Sequence, residues 1–190
     1  MGFIEDRGIV AYVHQQQGSD VSSKVAIRDL TSGKELVAWE DNPYLPYRTS
    51  IAFGASVIGP GVSLLALAGS TKLYLWEIYG ERGNHVWRVN PDRKVYEWPT
   101  ASARVVGIGR MKGQPVLAYG DAFGRLTLMD LGTNYAREIE VGGEIKEFLL
   151  RDDGEVIVAT SKGALALEWR ELQMASKQAE FELPEQLPGV

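Results

Sequence analysis

Short runs of apolar residues, each of strand length, recur along the chain and alternate with polar turns. The clearest case is the segment 114–130, in which two such runs flank a four-residue turn over 121–124. Gly124 can adopt a positive φ at little steric cost, and the carboxylate of Asp121 can accept hydrogen bonds from backbone amides inside the turn. The pattern predicts a β-hairpin with Phe123 in its turn.

The same strand–turn–strand pattern occurs about four times along the chain. The other hairpins are predicted over residues 8–30, 62–78 and 156–169. Further strands are predicted over 35–39, 49–53, 85–89, 94–98, 103–108, 135–141, 145–150 and 179–183. Residues 90–92, Asn-Pro-Asp, are expected to form a turn within an insertion. No window of about 11 residues or more keeps a helical period, so the pattern predicts an all-β fold.

Equivalent positions of the hairpins recur at regular intervals. When the second strand of each hairpin is aligned, Asp29, Glu77, Asp130 and Trp169 coincide, at spacings of 48, 53 and 39 residues. A period of about 40 to 50 residues with four short strands is typical of the blades of a β-propeller. We therefore expect a single domain over 1–183, with blades over 3–39, 49–98, 103–141 and 145–183, and a tail over 184–190.

The composition is that of a globular protein with many tight turns. The chain has 190 residues, 45% hydrophobic and 24% charged, and its 21 glycines exceed the usual share. It contains no cysteine, which excludes a disulfide framework, a thiolate metal site and a cysteine nucleophile. We find neither a long apolar run nor a secretory signal pattern at the start of the sequence, and we expect a cytoplasmic protein without a membrane segment.

The charge balance argues against nucleic acid and anionic membranes as partners. The formal net charge is −5, and the isoelectric point is about 5.2. Binding to nucleic acid depends largely on neutralising phosphates, and the chain has neither a basic excess nor a block of five or six like charges.

No known catalytic or metal-binding pattern is present in the sequence. The two histidines, His14 and His85, are not accompanied by a nucleophile elbow or by metal-ligand spacing. The segment 152–154, Asp-Asp-Gly, has good turn chemistry and lacks the ligand series of a calcium loop. The segment 107–109, Gly-Ile-Gly, lacks the third glycine and the following helix of a dinucleotide-binding loop. We expect no catalytic residue, metal or cofactor.

Tryptophans could serve either packing or recognition. We expect Trp76 and Trp169, which occupy similar places in their units, to pack between sheets. Trp39, Trp87 and Trp98 fall on predicted outer strands or insertions, where an aromatic residue can anchor a partner, although burial is favoured even there.

Residues 105–131 resemble a blade of the WD-repeat β-propeller family, of the kind common in bacterial multi-repeat proteins. Asp130 matches the Asp that ends the third strand of such a blade, whereas Met129 stands where Trp is usual. Trp76-Glu77 and Arg28-Asp29 are partial matches, Glu168-Trp169 departs most, and the glycine–histidine dipeptide of the family is missing from every unit. The resemblance extends over roughly residues 8–183 and implies a non-enzymatic scaffold that binds proteins.

The same resemblance assigns a binding face to the loops that enter the first strands and to the turns between the second and third strands. On this register the candidate partner-binding residues are Tyr47, Arg48, Trp98, Arg104, Asp121, Phe123 and Lys162. Gln15, Gln16, Thr71 and Glu144 fall on the same face. Mixed charges with several aromatic residues are typical of a protein interface. Phe123 is expected to be exposed there.

Two alternatives accompany the scaffold hypothesis. One is a propeller enzyme, a hydrolase or lyase with a carboxylate-based site at the channel mouth, which would need clustered charged residues on one face. The other is a purely structural assembly through the ends of the array. A pocket with convergent charges would favour the enzyme, and a flat face rimmed by aromatic residues would favour the scaffold.

Closure of the ring is a separate question. Blades shaped for a seven-fold ring cover about 51° each, so four cover only about 205°. The chain is then a part of a longer propeller, a half-ring that dimerises, or a strained four-blade ring. Our hypothesis is that it derives from a longer propeller and associates as a homodimer, because an open array leaves bare apolar faces.

Overall fold

The computed structural model describes residues 2–4, 7–15, 23–41, 50–59, 62–68, 72–80, 87–99, 103–133 and 135–168. These residues form β-strands connected by turns, and none of them is helical. Within these ranges there is accordingly no helix of the length and apolarity that crossing a membrane requires.

The described strands form four antiparallel sheets, each following the order of the chain. The first sheet contains β1 (Gly2–Ile4), β2 (Arg7–Gln15), β3 (Ser23–Asp29) and β4 (Glu35–Asp41). The second contains β5 (Ser50–Gly59), β6 (Val62–Ala68), β7 (Lys72–Gly80) and β8 (Trp87–Pro99). The third contains β9 (Ala103–Met111), β10 (Gln114–Asp121), β11 (Arg125–Asp130) and β12 (Tyr135–Glu140). The fourth contains β13 (Ile145–Leu150), β14 (Glu155–Thr160) and β15 (Gly163–Glu168). The prediction of an all-β fold is confirmed.

The sheets pack face to face in chain order, and buried apolar side chains fill the spaces between them. Ile9 and Ile27 of the first sheet meet Leu65 and Trp76 of the second, and Trp76 is completely buried, as predicted for a packing residue. Further clusters lie between the second and third sheets and between the third and fourth. Strand β6 reads VSLLALA because both of its faces are covered, so apolar residues do not alternate with polar ones.

The first strands of successive sheets lie side by side, in the order β1, β5, β9, β13. The last strands β4 and β8 also make contact. Among the side chains that the structure describes, no buried cluster joins the fourth sheet to the first. The array of described sheets is therefore open.

Glycines let the fourth sheet approach the third. A Cβ atom on Gly107 would lie 2.6 Å from Cε2 of Phe148, and one on Gly120 would lie 2.7 Å from Cγ2 of Ile145. Real Cβ atoms do not approach other atoms so closely, so both positions require glycine in the present packing. The glycine pair at 107 and 109 therefore serves sheet packing, since Leu150 lies against Gly109.

Two details of the strand prediction were wrong. Residues 90–92 form no turn, because β8 continues through them. Its pairing with β7 slips between Trp76, opposite Lys94, and Ile78, opposite Val89. Such a bulge accommodates Pro91, which has no N–H for the ladder. The pattern also missed β1, whose three residues are too few to show a period. The predicted strand over 179–183 and the tail lie outside the described residues.

Candidate functional site

The meander of each sheet places alternate turns at opposite edges. One edge carries the starts of β5, β9 and β13 together with the β10–β11 turn, the β12–β13 loop and the β14–β15 turn. Pairing of Asp121 with Ala103 joins the end of β10 to the start of β9 at this edge. We call this edge the loop face and define it by residues 50, 103–104, 121–125, 141–147 and 161–162.

The turn that carries Phe123 is held by a nearly buried carboxylate. Asp121 is 6% exposed, and its Oδ1 accepts hydrogen bonds from the amides of Phe123 and Arg125 at 2.8 and 2.9 Å. Nε of Arg125 donates to Oδ2 at 2.7 Å. This hydrogen bond and the negative charge of Asp121 raise the pKa of Arg125. Gly124, at φ +88°, completes the turn as the sequence predicts.

Phe123 lies on top of this fixed turn. Its relative exposure is 71%, which confirms the prediction that it is exposed. The guanidinium carbon of Arg125 lies 5.9 Å from the ring centroid, within the range of a cation–π contact. The aromatic ring is therefore both accessible and held by a rigid base.

The β12–β13 loop connects two turns of the loop face. The amide of Val141 donates to the carbonyl of Gly124 at 2.8 Å, and the amide of Ser161 donates to the carbonyl of Glu144 at 2.8 Å. The Ser161 hydroxyl accepts a hydrogen bond from the Glu144 amide at 3.1 Å. Backbone bonds on both sides thus link the turn of Phe123 to that of Lys162.

An open cleft of about 410 Å³ lies between the first strands of the second, third and fourth sheets. It is lined by Ser50, Ile51, Arg104, Val105, Val106, Lys146, Glu147 and Phe148. The Ser50 hydroxyl accepts a hydrogen bond from the amide of Val106 at 3.1 Å. Nζ of Lys146 is bonded to the carboxylate of Glu144. The cleft therefore presents two cationic groups and one carboxylate around a partly apolar floor.

The structure brings together four of the predicted partner-binding residues. Arg104, Asp121, Phe123 and Lys162 all lie on the loop face, and the buried Asp121 holds the turn from beneath. Trp98 falls near the end of β8, opposite Leu73, and its side chain lies outside the described part of the structure. Tyr47 and Arg48 lie outside the described residues. Gln16 and Thr71, which the sequence predicted on the same face, also lie outside them.

Sequence reasoning missed Ser50, Arg125, Lys146 and Glu147. A signal for Lys146 was present, because it is the second residue of the first strand of its sheet, as Arg104 is. Arg125 directly follows the turn glycine, and its side chain donates a hydrogen bond to Asp121 on the other side of the turn. The other two residues carry no local pattern.

At the opposite edge, Asp29 and Asp130, two of the four residues that the sequence aligned, each end a strand and cap the turn that follows. Glu77 lies within β7, and Trp169 lies outside the described residues. Oδ1 of Asp29 accepts hydrogen bonds from the amides of Thr31 and Ser32, and Oδ1 of Asp130 accepts from those of Gly132 and Thr133. The segment 152–154 forms the predicted turn. No group of three or more His, Cys, Asp or Glu side chains suited to a metal ion occurs within the described ranges.

Comparison with known proteins shows structural likeness at low sequence identity. No protein-family model and no curated protein matches the sequence. The chain is similar to the crystal structure of AztD from Citrobacter koseri, with a TM-score of 0.48 and 14% identity, over 84% of this chain and 43% of that one. It is also similar to apo AztD from the same organism, with a TM-score of 0.44 and 13% identity, over 84% and 44% of the two chains. The chain spans less than half the length of these proteins. Their TM-scores are too low to assign a family or a function to this chain.

Proposed function

We propose that this protein is a β-propeller module of the WD-repeat type, organised as a partial ring of about four blades, that binds other proteins without catalysing a reaction. Four chain-ordered meander sheets with adjacent first strands support the architecture. The repeated Asp caps at Asp29 and Asp130 support the repeat. The resemblance to bacterial WD-repeat blades is our ground for proposing a bacterial, cytoplasmic protein.

The observation that carries the binding function is the exposed Phe123 on its clamped turn. Exposed aromatic residues that are already fixed in position lose little conformational freedom on binding, and such residues dominate the energy of many interfaces. Arg104 and Lys162 supply polar groups on the same face, as at the rim of an interface. We therefore propose Phe123 as the apolar anchor of the partner contact and Arg104 as a charged contact in the adjacent cleft.

The test compares Phe123→Ala with Leu30→Ala. Leu30 is 46% exposed and follows β3 at the opposite edge of the sheets, so it is a matched control for loss of an exposed apolar side chain. Immobilised wild-type chain and both variants are incubated with lysate of the source cells, and captured proteins are quantified by mass spectrometry. A protein captured by the wild type is then purified and titrated against each variant.

We expect Phe123→Ala to raise the dissociation constant by at least about tenfold, while Leu30→Ala leaves it within about twofold. Equal binding by wild type and Phe123→Ala for every captured protein would contradict the proposal. Equal losses in both variants would indicate non-specific apolar capture and would contradict it as well.

A second candidate, a hydrolase or lyase acting in the cleft, is favoured by the three charged groups of Arg104, Lys146 and Glu147. Among the described residues Glu147 is the single carboxylate that lines the cleft, whereas glycoside hydrolysis typically uses two. We rank it second for this reason. Turnover of ester, phosphoester or glycoside substrates that is abolished by Glu147→Gln and kept by Phe123→Ala would favour the enzyme.

A further inference from the structure

The outer face of the fourth sheet carries apolar residues that the described part of the chain does not cover. Phe148 and Leu150 pack against the third sheet, so the alternation of β13 directs Leu149 to the other side. Leu149 lies opposite Ile157, and Ile157 lies opposite Ala166. Leu149 is 57% exposed. One row of apolar residues thus crosses all three described strands of this sheet.

A second row extends this surface. Ala159 pairs with Ala164, two residues closer to the loop face than the pair of Ile157 and Ala166. Ala164 is exposed. We call the surface formed by Leu149, Ile157, Ala159, Ala164 and Ala166 the open face. Apolar surfaces of this kind on a sheet are normally covered by another sheet or by a partner.

The outer face of the first sheet has the opposite character. The Tyr12 hydroxyl accepts a hydrogen bond from Nη2 of Arg28 at 3.0 Å, and Nζ of Lys24 lies 3.1 Å from a carboxylate oxygen of Glu35. The hydrogen bond from Lys24 is the largest cause that lowers the pKa of Glu35. The Arg28 guanidinium also lies 5.2 Å from the centroid of the Tyr12 ring. A polar surface such as this is costly to bury against an apolar one.

This contrast decides between two ways of pairing copies. Closing a ring from two half-rings would place the open face of one copy on the first sheet of the other. That contact would place the network of Tyr12, Lys24, Arg28 and Glu35 against the apolar centre of the open face, which offers no hydrogen bonds in return. Pairing of open face with open face places the row of Leu149, Ile157 and Ala166 against its own copy. The charged residues of this side of the sheet lie around that row: Glu147, Arg151, Glu155 and Glu168.

Charge at the border of the open face agrees with the second arrangement. Glu147, which also lines the cleft, and Arg151 flank Leu149 along β13. Arg151 bonds to Asp153 at 2.8 Å and to Glu155 at 2.7 Å. A two-fold axis across the strands through Leu149 brings Leu149 of one copy onto Leu149 of the other. The same axis brings Glu147 of each copy opposite Arg151 of its partner.

We propose that two copies of this chain associate through their open faces, about a two-fold axis that crosses β13 near Leu149. The interface is isologous, so each contact occurs twice. It is independent of the partner contact at Phe123, since that residue lies on a different sheet and on the loop face.

The first experiment measures mass in solution by light scattering at concentrations from about 1 to 100 μM. The wild type is expected to be a dimer over most of this range. Leu149→Lys places a charge at the centre of the interface and is expected to raise the dimer dissociation constant at least about a hundredfold. Phe123→Ala is the control and is expected to remain dimeric. Circular dichroism of all three proteins establishes that the sheets are intact.

The second experiment determines the geometry. Because the chain has no cysteine, Leu149→Cys introduces a single thiol. Facing sheets are about 10 Å apart, so a short bismaleimide should join two copies of this variant. Leu30→Cys, at an exposed position away from the open face, should not react in this way. A monomeric wild type, a dimer that survives Leu149→Lys, or a dimer without cross-linking at Leu149→Cys would each overturn the proposal.

Discussion

Asp121 shows how much one side chain organises at the residue scale. Its carboxylate is nearly buried, yet both oxygens are used, one by two backbone amides and the other by Arg125. Hydrogen bonds to a charged acceptor are among the stronger ones in proteins, and their loss leaves buried donors without a partner. The position of Phe123 therefore depends on a residue that is itself nearly buried.

Removing this carboxylate should loosen the turn and destabilise the fold. We expect Asp121→Ala to lower the free energy of unfolding by about 2 kcal/mol, measured by urea denaturation. Asp153→Ala is the control, because Asp153 also accepts a turn amide, that of Glu155, but is largely exposed. Its loss should be below about 1 kcal/mol.

Asp121→Asn separates the two roles of the carboxylate. It keeps an oxygen for the amides and loses the charge that pairs with Arg125, so an intermediate stability is expected. Equal stability of Asp121→Ala and the wild type would contradict this account of the turn.

At the scale of elements, the sequence predicted most strands because the turns carry clear local signals. The hairpin of β10 and β11 follows from Asp121 and Gly124, whose turn chemistry does not depend on the rest of the chain. Strand β8 was misjudged because Pro91 is usual in turns, and only the pairing with β7 shows that it lies in a bulge.

Features that depend on distant segments could not be predicted. Position 107 requires glycine because the ring of Phe148, 41 residues further along the chain, lies where a side chain would begin. The cleft has the same origin, since Arg104 and Lys146 converge only when their two sheets pack together. The exposure of Phe123 was predictable because it is a property of the turn alone.

The close approach of the third and fourth sheets gives a prediction at this scale. Gly120→Ala places a methyl group 2.9 Å from Cβ of Ile145, an atom close to the backbone that has little room to move. We expect a loss of about 1 to 3 kcal/mol in the free energy of unfolding, measured by denaturation in urea. Gly132→Ala, whose nearest neighbour is a side-chain oxygen of Asp130 at 3.3 Å, should cost less than about 1 kcal/mol. A reversed order of the two losses would be incompatible with the packing described.

For the whole molecule, the face-to-face order of the sheets implies a gradient of stability. Among the described side chains, the second and third sheets are covered on both faces, whereas the first and the fourth are each covered on one. Local opening requires less free energy where fewer apolar contacts are lost. The first and fourth sheets should therefore open most easily. Because the exposed side of the fourth is apolar and that of the first is polar, the fourth gains more from an added partner.

Hydrogen exchange followed by mass spectrometry tests this gradient. Amides of β6 should exchange most slowly and those of β14 and β15 faster, at a protein concentration of about 1 μM. Protection of β14 and β15 should increase at about 100 μM, because association covers the open face, while protection of β11 should not change. Uniform protection of all four sheets at both concentrations would contradict the gradient.

The buried strand β6 has a consequence for handling the protein. Its sequence, VSLLALA, contains seven residues with neither charge nor proline, and both of its faces are hidden only while the first and third sheets are in place. Uncharged apolar segments of this length readily form intermolecular cross-β contacts once they are released. Refolding yield should therefore fall steeply as the concentration of denatured chain rises, and dilute refolding at low temperature is the appropriate route to native material.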